Sequence, residues 1–141
     1  MLNFLEKNKK ITVYFPLVFY WILLIIATSL PSKDIPNLKI SDKIEHLLAY
    51  LVLGFLFNLA VIFQNKFKLL KKYSFLSTVV FLSIYAIIDE LHQIFIPGRV
   101  CSFLDWGADT IGILLGVLVT YIFIKIITKT NWSIVGTNIL L

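Results

Sequence analysis

One charge-free stretch decides the class of fold: residues 11–30, which read ITVYFPLVFYWILLIIATSL. A helix needs about 20 consecutive apolar residues to cross the hydrocarbon core of a bilayer. The whole chain shares this character, because 59% of its 141 residues are hydrophobic and 15% are charged. In average globular domains about 45–50% of the residues are apolar and about 25% are charged. A soluble domain of this size cannot bury so much apolar surface. The composition therefore predicts an integral membrane protein in contact with the lipid bilayer.

Three further stretches have the length and composition of membrane-spanning helices. They lie at residues 44–63, 73–96 and 103–127. Their apolar runs lack the alternation that is typical of a membrane barrel, and lipid tolerates only backbone polar groups that are bonded internally. The sequence therefore predicts an all-α fold: a bundle of four transmembrane helices that forms a single domain over residues 1–141.

The basic residues predict how these helices are oriented. One side of the predicted bundle carries nine basic residues and a single acid, Glu6; the nine are Lys7, Lys9, Lys10, Lys66, Lys68, Lys71, Lys72, Lys125 and Lys129. The other side carries four basic and seven acidic residues. Short loops rich in Lys and Arg stay in the cytoplasm, so both termini and residues 66–72 are predicted to be cytoplasmic. The net charge of +5 is then a topology signal, and nucleic acid is not expected as a partner.

The first span also has features of a signal peptide, because lysines precede it and small residues end it. Its apolar run is about 20 residues long, however, and the apolar core of a signal peptide has about 7 to 15 residues. We therefore interpret residues 11–30 as a transmembrane helix.

The acidic residues indicate where the chemistry lies. Several fall inside predicted helices, where a charge costs at least about 2.5 kcal/mol. At about 1.5 Å per residue, Asp89 lies roughly 25 Å from Lys72 and Asp109 roughly 24 Å from Lys125 along their helices, so both are near the outer face. His46 lies twenty residues before Lys66, roughly 30 Å along its helix, and is therefore also placed near the outer face. Residues three or four apart share a helix face, which puts Asp42, His46 and Tyr50 on one stripe. These depths predict one polar pocket that opens outward.

The candidate residues fall into two groups. The proposed catalytic residues are Asp42, His46, Asp89, Glu90, His92 and Asp105. The proposed substrate-binding residues are Lys43, Tyr50, Gln93, Arg99 and Asp109. A Pro97-Gly98 turn is expected to place Arg99 over the acidic residues.

Two segments resemble the signatures of a known family. Residues 42–50, DKIEHLLAY, are followed by Leu53-Gly54 and resemble the DKxxHxxxY signature of the VanZ-like family. The segment from Tyr85 to Gly112, which contains DELHQIFIPGR at residues 89–99 and then Ser102 and Asp105, resembles its second signature. The resemblance implies a multi-pass protein of the bacterial plasma membrane, related to an accessory protein of glycopeptide (teicoplanin) resistance, with its polar layer on the extracytoplasmic side. Asp109 departs from the pattern, where an Asn is expected, and this extra carboxylate could change metal affinity or charge balance.

The polar layer admits two interpretations. It could be a functional site, or it could be a buried ion-pair network in which Arg99 and Lys43 neutralise acidic residues. A divalent metal is a possible cofactor: Zn²⁺ or Mn²⁺ would use histidines and carboxylates, whereas Mg²⁺ or Ca²⁺ would use carboxylates alone. The candidate ligands are His46, Asp89, Glu90 and His92, although their spacing matches no established metal motif.

Three functions remain open. The first is a membrane protein, with or without enzyme activity, that binds or modifies a phospholipid or a lipid-linked cell-wall precursor. The second is a non-catalytic envelope protein whose ionic layer is structural. The third is a small proton-coupled carrier. The inner halves of the predicted spans hold no ionisable residues that could relay protons, which counts against this function.

The small-xxx-small pair Gly112 and Gly116 permits close helix packing and also permits a homodimer. Asn58 is expected to form a hydrogen bond between helices.

Overall fold

The computed structural model describes residues 2–34 and 41–128, and every regular element within them is helical. The α-helices are α1 (Leu2–Lys7), α2 (Phe15–Thr28), α3 (Asp42–Phe63), α4 (Lys68–Lys72), α5 (Ser74–Gln93) and α6 (Phe103–Thr128). A π-helical turn, Lys10–Tyr14, leads into α2, and a 3₁₀ turn, Ser32–Asp34, follows α2. Lys39, Lys129 and the tail at 131–141 lie outside the described residues.

Four helices in the described part of the chain are long and apolar enough to cross a membrane. They are Lys10–Thr28, which joins the π-helical turn to α2, and α3, α5 and α6. The predicted all-α bundle of four spans is thus confirmed.

The bundle has an apolar exterior as well as an apolar core. Leu53, Leu82 and Ile113 are fully buried between the helices. Phe81 and Leu118, by contrast, leave 53% and 52% of their surface exposed. Exposed apolar patches of this extent are rare on soluble monomers, and they match the surface that a transmembrane helix presents to lipid.

Glycines bring α3 and α6 into backbone contact. A Cβ atom added at Gly112 would fall against the carbonyl oxygen of Leu47, and one added at Gly116 would fall against that of Leu51. On the opposing helix, a Cβ at Gly54 would lie 2.9 Å from the Ile113 carbonyl oxygen. The face formed by Gly112 and Gly116 is therefore covered by α3 of the same chain and is not free to pack against a second copy.

The other spans pack against this pair through side chains. Tyr20 on α2 donates a hydrogen bond to the Ala49 carbonyl of α3 at 2.9 Å. Thr78 on α5 donates to Asn58 Oδ1 on α3 at 3.1 Å, and both side chains are buried. The expected hydrogen bond of Asn58 between helices is thus confirmed.

The lysine-rich end of the bundle is closed by the N-terminal helix. Lys9 Nζ donates to the Phe63 carbonyl at 2.9 Å, where α3 ends, and to Glu6 at 2.8 Å. A cation at a helix C-terminus is favourable because the last carbonyls carry partial negative charge. Partial burial acts to raise the pKa of Glu6, but the hydrogen bonds from Lys9 and Asn65 outweigh it and lower the pKa overall. Glu6 therefore belongs to a small charged cluster rather than to a free loop.

Candidate functional site

Three helix ends meet at the end of the bundle opposite residues 66–72. Helices α3 and α6 begin there and α5 ends there. Polar side chains that would be costly in lipid are consequently enclosed among three helices. The buried ionisable residues at this end are His46, Asp89, Glu90, Asp105 and Asp109.

The centre of the site is a buried cluster of one histidine and two carboxylates, which we call the His46 cluster: His46, Glu90 and Asp109. His46 Nδ1 lies 3.0 Å from Asp109 Oδ1 and 3.8 Å from Glu90 Oε1. Only 8%, 3% and 0% of the surfaces of His46, Glu90 and Asp109 remain exposed. The cluster therefore links α3, α5 and α6 away from solvent.

Two oxygens of the His46 cluster have no hydrogen-bond partner among the residues that the structure describes. Glu90 Oε2 accepts a hydrogen bond from the Ser102 backbone N–H at 2.7 Å, but the buried Oε1 accepts none. Asp109 Oδ2 is buried and unpartnered in the same way, as is the Gln93 amide nitrogen. Most buried polar atoms in proteins are paired, so each exception calls for an explanation.

Two pairs of side chains flank the cluster. Tyr50 donates a hydrogen bond from its hydroxyl to Asp89 Oδ2 at 3.1 Å, inside the bundle. Lys43 Nζ lies 3.2 Å from Asp105 Oδ1, with the lysine half-exposed and the carboxylate buried. Asp89 and Asp105 thus have partners of their own, unlike the free oxygens of Glu90 and Asp109.

A pocket of about 220 Å³ opens between α2 and α3 beside the cluster. Its apolar wall includes Leu24, Ala27 and Leu30, and its polar wall consists of Asp42, Glu45, His46, Tyr50 and Arg99. Arg99 enters the pocket from the turn after α5, where Gly98 has a φ of 79° that favours glycine. His46 belongs to both the pocket and the buried cluster, so the two are continuous.

The family of the chain follows from its sequence match. The family model VanZ/LLP1 matches residues 3–124, which include the whole site. The chain belongs to the VanZ/LLP1 family. No curated protein and no solved structure matches it.

This VanZ/LLP1 protein does not bring all the expected site residues together. His92 is exposed, and its side chain forms no hydrogen bond with any residue that the structure describes. The buried face of α5 carries Asp89, Glu90 and Gln93, and a rotation of about 100° per residue turns His92 away from it. His92 is therefore not placed to act with His46 or to share a metal ion with it.

One of the two interpretations of the polar layer had the charge of Arg99 neutralise Asp89, Asp105 or Asp109, and the structure does not show such a pair. Instead, Nη2 donates to the Ala27 carbonyl at 3.3 Å, and within residues 2–34 and 41–128 no ion pair includes this arginine. The turn at Pro97 docks on the segment after α2, since the Ser32 N–H donates to the Pro97 carbonyl at 3.2 Å. This docking directs Arg99 toward α2 rather than toward α5 and α6.

Sequence reasoning assigned no role to Ser102 or Glu45 in this VanZ/LLP1 protein. Ser102 holds Glu90 through its backbone N–H, and its hydroxyl accepts a hydrogen bond from the Asp105 N–H at 3.3 Å. A serine just before an apolar helix is a helix-capping signal, so the position of Ser102 could have been recognised. Glu45 carried no signal that distinguished it from a solvated charge.

Proposed function

We propose that the protein binds or modifies an amphiphilic component of the bacterial envelope, either a phospholipid or a lipid-linked cell-wall precursor. The observation that carries this proposal is the two-sided lining of the pocket between α2 and α3. Leu24, Ala27 and Leu30 offer an apolar surface, and Arg99 and His46 face it with polar groups. A ligand with an alkyl chain and a charged headgroup satisfies both surfaces at once.

The cationic groups around the pocket suit a phosphate-bearing headgroup. Arg99 Nε has no hydrogen-bond partner in residues 2–34 and 41–128, so the guanidinium retains a donor for a ligand. Arginine binds phosphate through paired N–H groups, whereas lysine acts as a point charge. Lys43, half-exposed beside Asp105, is a second cation at the same end of the bundle, although it does not line the pocket.

The chemistry that follows binding would centre on His46. It lines the pocket and contacts Asp109 at 3.0 Å. A carboxylate orients an imidazole and supports proton transfer by it, which is the usual arrangement of a general acid or base.

The proposed location of the site is the extracytoplasmic side of the bacterial plasma membrane. The exposed lysines of residues 66–72 lie at the opposite end of the bundle, and short lysine-rich loops remain in the cytoplasm. A pocket on the outer side is where glycopeptides and wall precursors occur, which supports a relation to teicoplanin resistance.

The test is photolabelling in lipid nanodiscs. A phospholipid with a diazirine in its acyl chain should label Leu24, Ala27 and Leu30 above the level found for the rest of the lipid-facing surface. The variant Ala27→Trp should fill the pocket and reduce this labelling, and Arg99→Gln should reduce it by weakening the headgroup contact. Leu23→Trp is the matched control, because Leu23 is exposed on α2 but does not line the pocket. Uniform labelling of all exposed faces, unchanged in both pocket variants, would refute the proposal.

A structural role for the ionic layer is the second candidate, and two observations favour it. The Tyr50–Asp89 and Lys43–Asp105 pairs are already satisfied within the protein. Under this alternative, Arg99→Gln would leave lipid labelling and teicoplanin susceptibility unchanged in cells that contain normal amounts of the protein. The carrier hypothesis has less support, since the buried ionisable residues in the described helices all lie at one end of the bundle.

A further inference from the structure

The free oxygens of the His46 cluster have a chemical explanation that is independent of the lipid pocket. We propose that His46, Glu90 and Asp109 bind one divalent transition-metal ion, Zn²⁺ or Mn²⁺. One ligand atom from each of the three residues lies within 4.8 Å of the others, and all three residues are buried. With an ion bound at its Nδ1, His46 would be a metal ligand rather than the general acid or base named above, so this inference replaces that role. It leaves the proposal of a lipid-binding pocket unchanged.

The first argument is geometric. Three protein ligands around a zinc ion stand about 2.0–2.2 Å from it, which places neighbouring ligand atoms about 3.4 Å apart. His46 Nδ1 and Asp109 Oδ1 are 3.0 Å apart, and His46 Nδ1 and Glu90 Oε1 are 3.8 Å apart. Both distances are within about 0.4 Å of that spacing, and the oxygens of Glu90 and Asp109 lie within 4.8 Å of each other.

The second argument concerns the unpartnered oxygens. Glu90 Oε1 and Asp109 Oδ2 belong to residues that are 3% and 0% exposed, and neither atom has a hydrogen-bond donor among the described residues. A metal ion supplies what both carboxylates lack, since it can be shared by several oxygens at once.

The third argument is charge balance. Among the residues that the structure describes, His46 is the one cationic side chain in ion-pair contact with Glu90 or Asp109. A buried charge is costly unless it is paired or coordinates a metal, and one protonated imidazole cannot balance two carboxylates. A divalent cation bound to two carboxylates and a neutral imidazole gives a net charge of zero.

The ligand types narrow the choice of ion. Imidazole suits Zn²⁺ and Mn²⁺ better than Mg²⁺, and carboxylate oxygens suit all three. Three protein ligands leave a coordination position free, as in zinc sites that act on a substrate. Asp109 is essential to this assignment, although the comparable position of the family pattern was expected to hold Asn.

A competing set of ligands shares the histidine. Asp42, His46 and Asp105 also bring one ligand atom each within 4.8 Å. Asp42 is exposed, however, and Asp105 already pairs with Lys43. A bound ion would therefore stabilise the buried set, whose oxygens lack partners, more than the set at the rim, which consists of Asp42, His46 and Asp105.

Elemental analysis of the detergent-purified, full-length chain provides the first test. The wild-type protein, stripped with a chelator and dialysed against Zn²⁺ or Mn²⁺, should retain about one ion per chain. His46→Ala, Glu90→Gln and Asp109→Asn should each weaken binding more than about tenfold, because loss of even an outer-shell partner costs 10–100-fold. His92→Ala is the matched control, since it removes the chain's other histidine from an exposed position. It should bind the ion as the wild type does.

Asp42→Asn distinguishes the two ligand sets. Retention of the ion in Asp42→Asn together with its loss in Glu90→Gln supports the buried set. The opposite pattern would overturn our assignment and favour the set at the rim.

A second measurement covers the case in which a variant fails to fold. Titration of stripped wild-type protein with Mn²⁺ should give an electron spin echo modulation from one imidazole nitrogen and should raise the thermal stability of the protein. Wild-type protein that binds neither ion and shows no thermal shift would refute the metal site. This result would leave the lipid proposal standing, because photolabelling at Leu24, Ala27 and Leu30 is measured separately.

Discussion

His46 Nδ1 lies 3.0 Å from Asp109 Oδ1, and this contact joins α3 to α6 one turn before the glycine packing begins. Asp109 precedes Gly112 by three residues, and His46 precedes Leu47, whose carbonyl faces Gly112. The close backbone approach at Gly112 is what allows the short aspartate side chain to reach the imidazole. The geometry of the site therefore depends on helix packing just below it.

The packing at Gly112 can be tested by adding a single methyl group. Gly112→Ala should destabilise the protein, because its Cβ would overlap the Leu47 carbonyl oxygen and overpacking typically costs about 1–3 kcal/mol. Gly107→Ala on the same helix is the control, since a Cβ there meets nothing within 4 Å. Titration with sodium dodecyl sulfate in mixed micelles measures both free energies of unfolding. Equal stability of the two variants would contradict the packing described here.

The buried pair of Tyr50 and Asp89 predicts an asymmetric response to mutation. Tyr50→Phe should destabilise the protein by about 1–3 kcal/mol, because it leaves a buried carboxylate oxygen without its donor. Asp89→Asn should cost less, since the amide oxygen can still accept the tyrosine hydrogen bond. The measurement is again the free energy of unfolding in micelles.

The double variant Asp89→Asn with Arg99→Gln is the control for this pair. Arg99 bonds to the Ala27 carbonyl rather than to Asp89, so the two changes should be additive. Rescue of Asp89→Asn by Arg99→Gln would show that the two residues form a charge pair in the membrane.

The buried hydrogen bond from Thr78 to Asn58 predicts a coupling between α5 and α3. A double-mutant cycle with Asn58→Ala and Thr78→Val should give a coupling energy of about 0.6 kcal/mol, the average for hydrogen bonds between transmembrane helices. Thr110→Val in place of Thr78→Val is the control, because Thr110 bonds within α6 to the Trp106 carbonyl. A coupling of Asn58 to Thr110 as large as that to Thr78 would contradict the assignment.

The exposed Cys101 provides a test of orientation. It is the chain's only cysteine and lies at the end of the bundle that holds the site. A membrane-impermeant maleimide added to intact cells should label it, and Cys101→Ser should remain unlabelled. Leu69→Cys in the Cys101→Ser background is the matched control, since Leu69 is 70% exposed at the lysine-rich end. Labelling of Leu69→Cys before permeabilisation would reverse the proposed orientation.

The sequence by itself determined the fold class, the four spans and the level at which the polar residues lie. Hydrophobic length decides which segments enter a bilayer, because no water is available there to bond an exposed backbone. Residue spacing then places His46, Asp89 and Asp109 near the same end, since the rise per residue of a helix is constant. Both signals lie in residues that are close together in the sequence, so they can be recognised without the tertiary structure.

Only the tertiary structure decided which of these residues touch. Rotation of each helix about its own axis depends on its neighbours: α5 turns Glu90 inward and leaves His92 exposed. The glycine contacts bring Asp109 to His46. Asp89 accepts a hydrogen bond from Tyr50 instead. The docked turn at Pro97 directs Arg99 to the pocket beside α2. Side-chain partners across helices depend on how the helices pack together, and no periodicity within one helix encodes that packing.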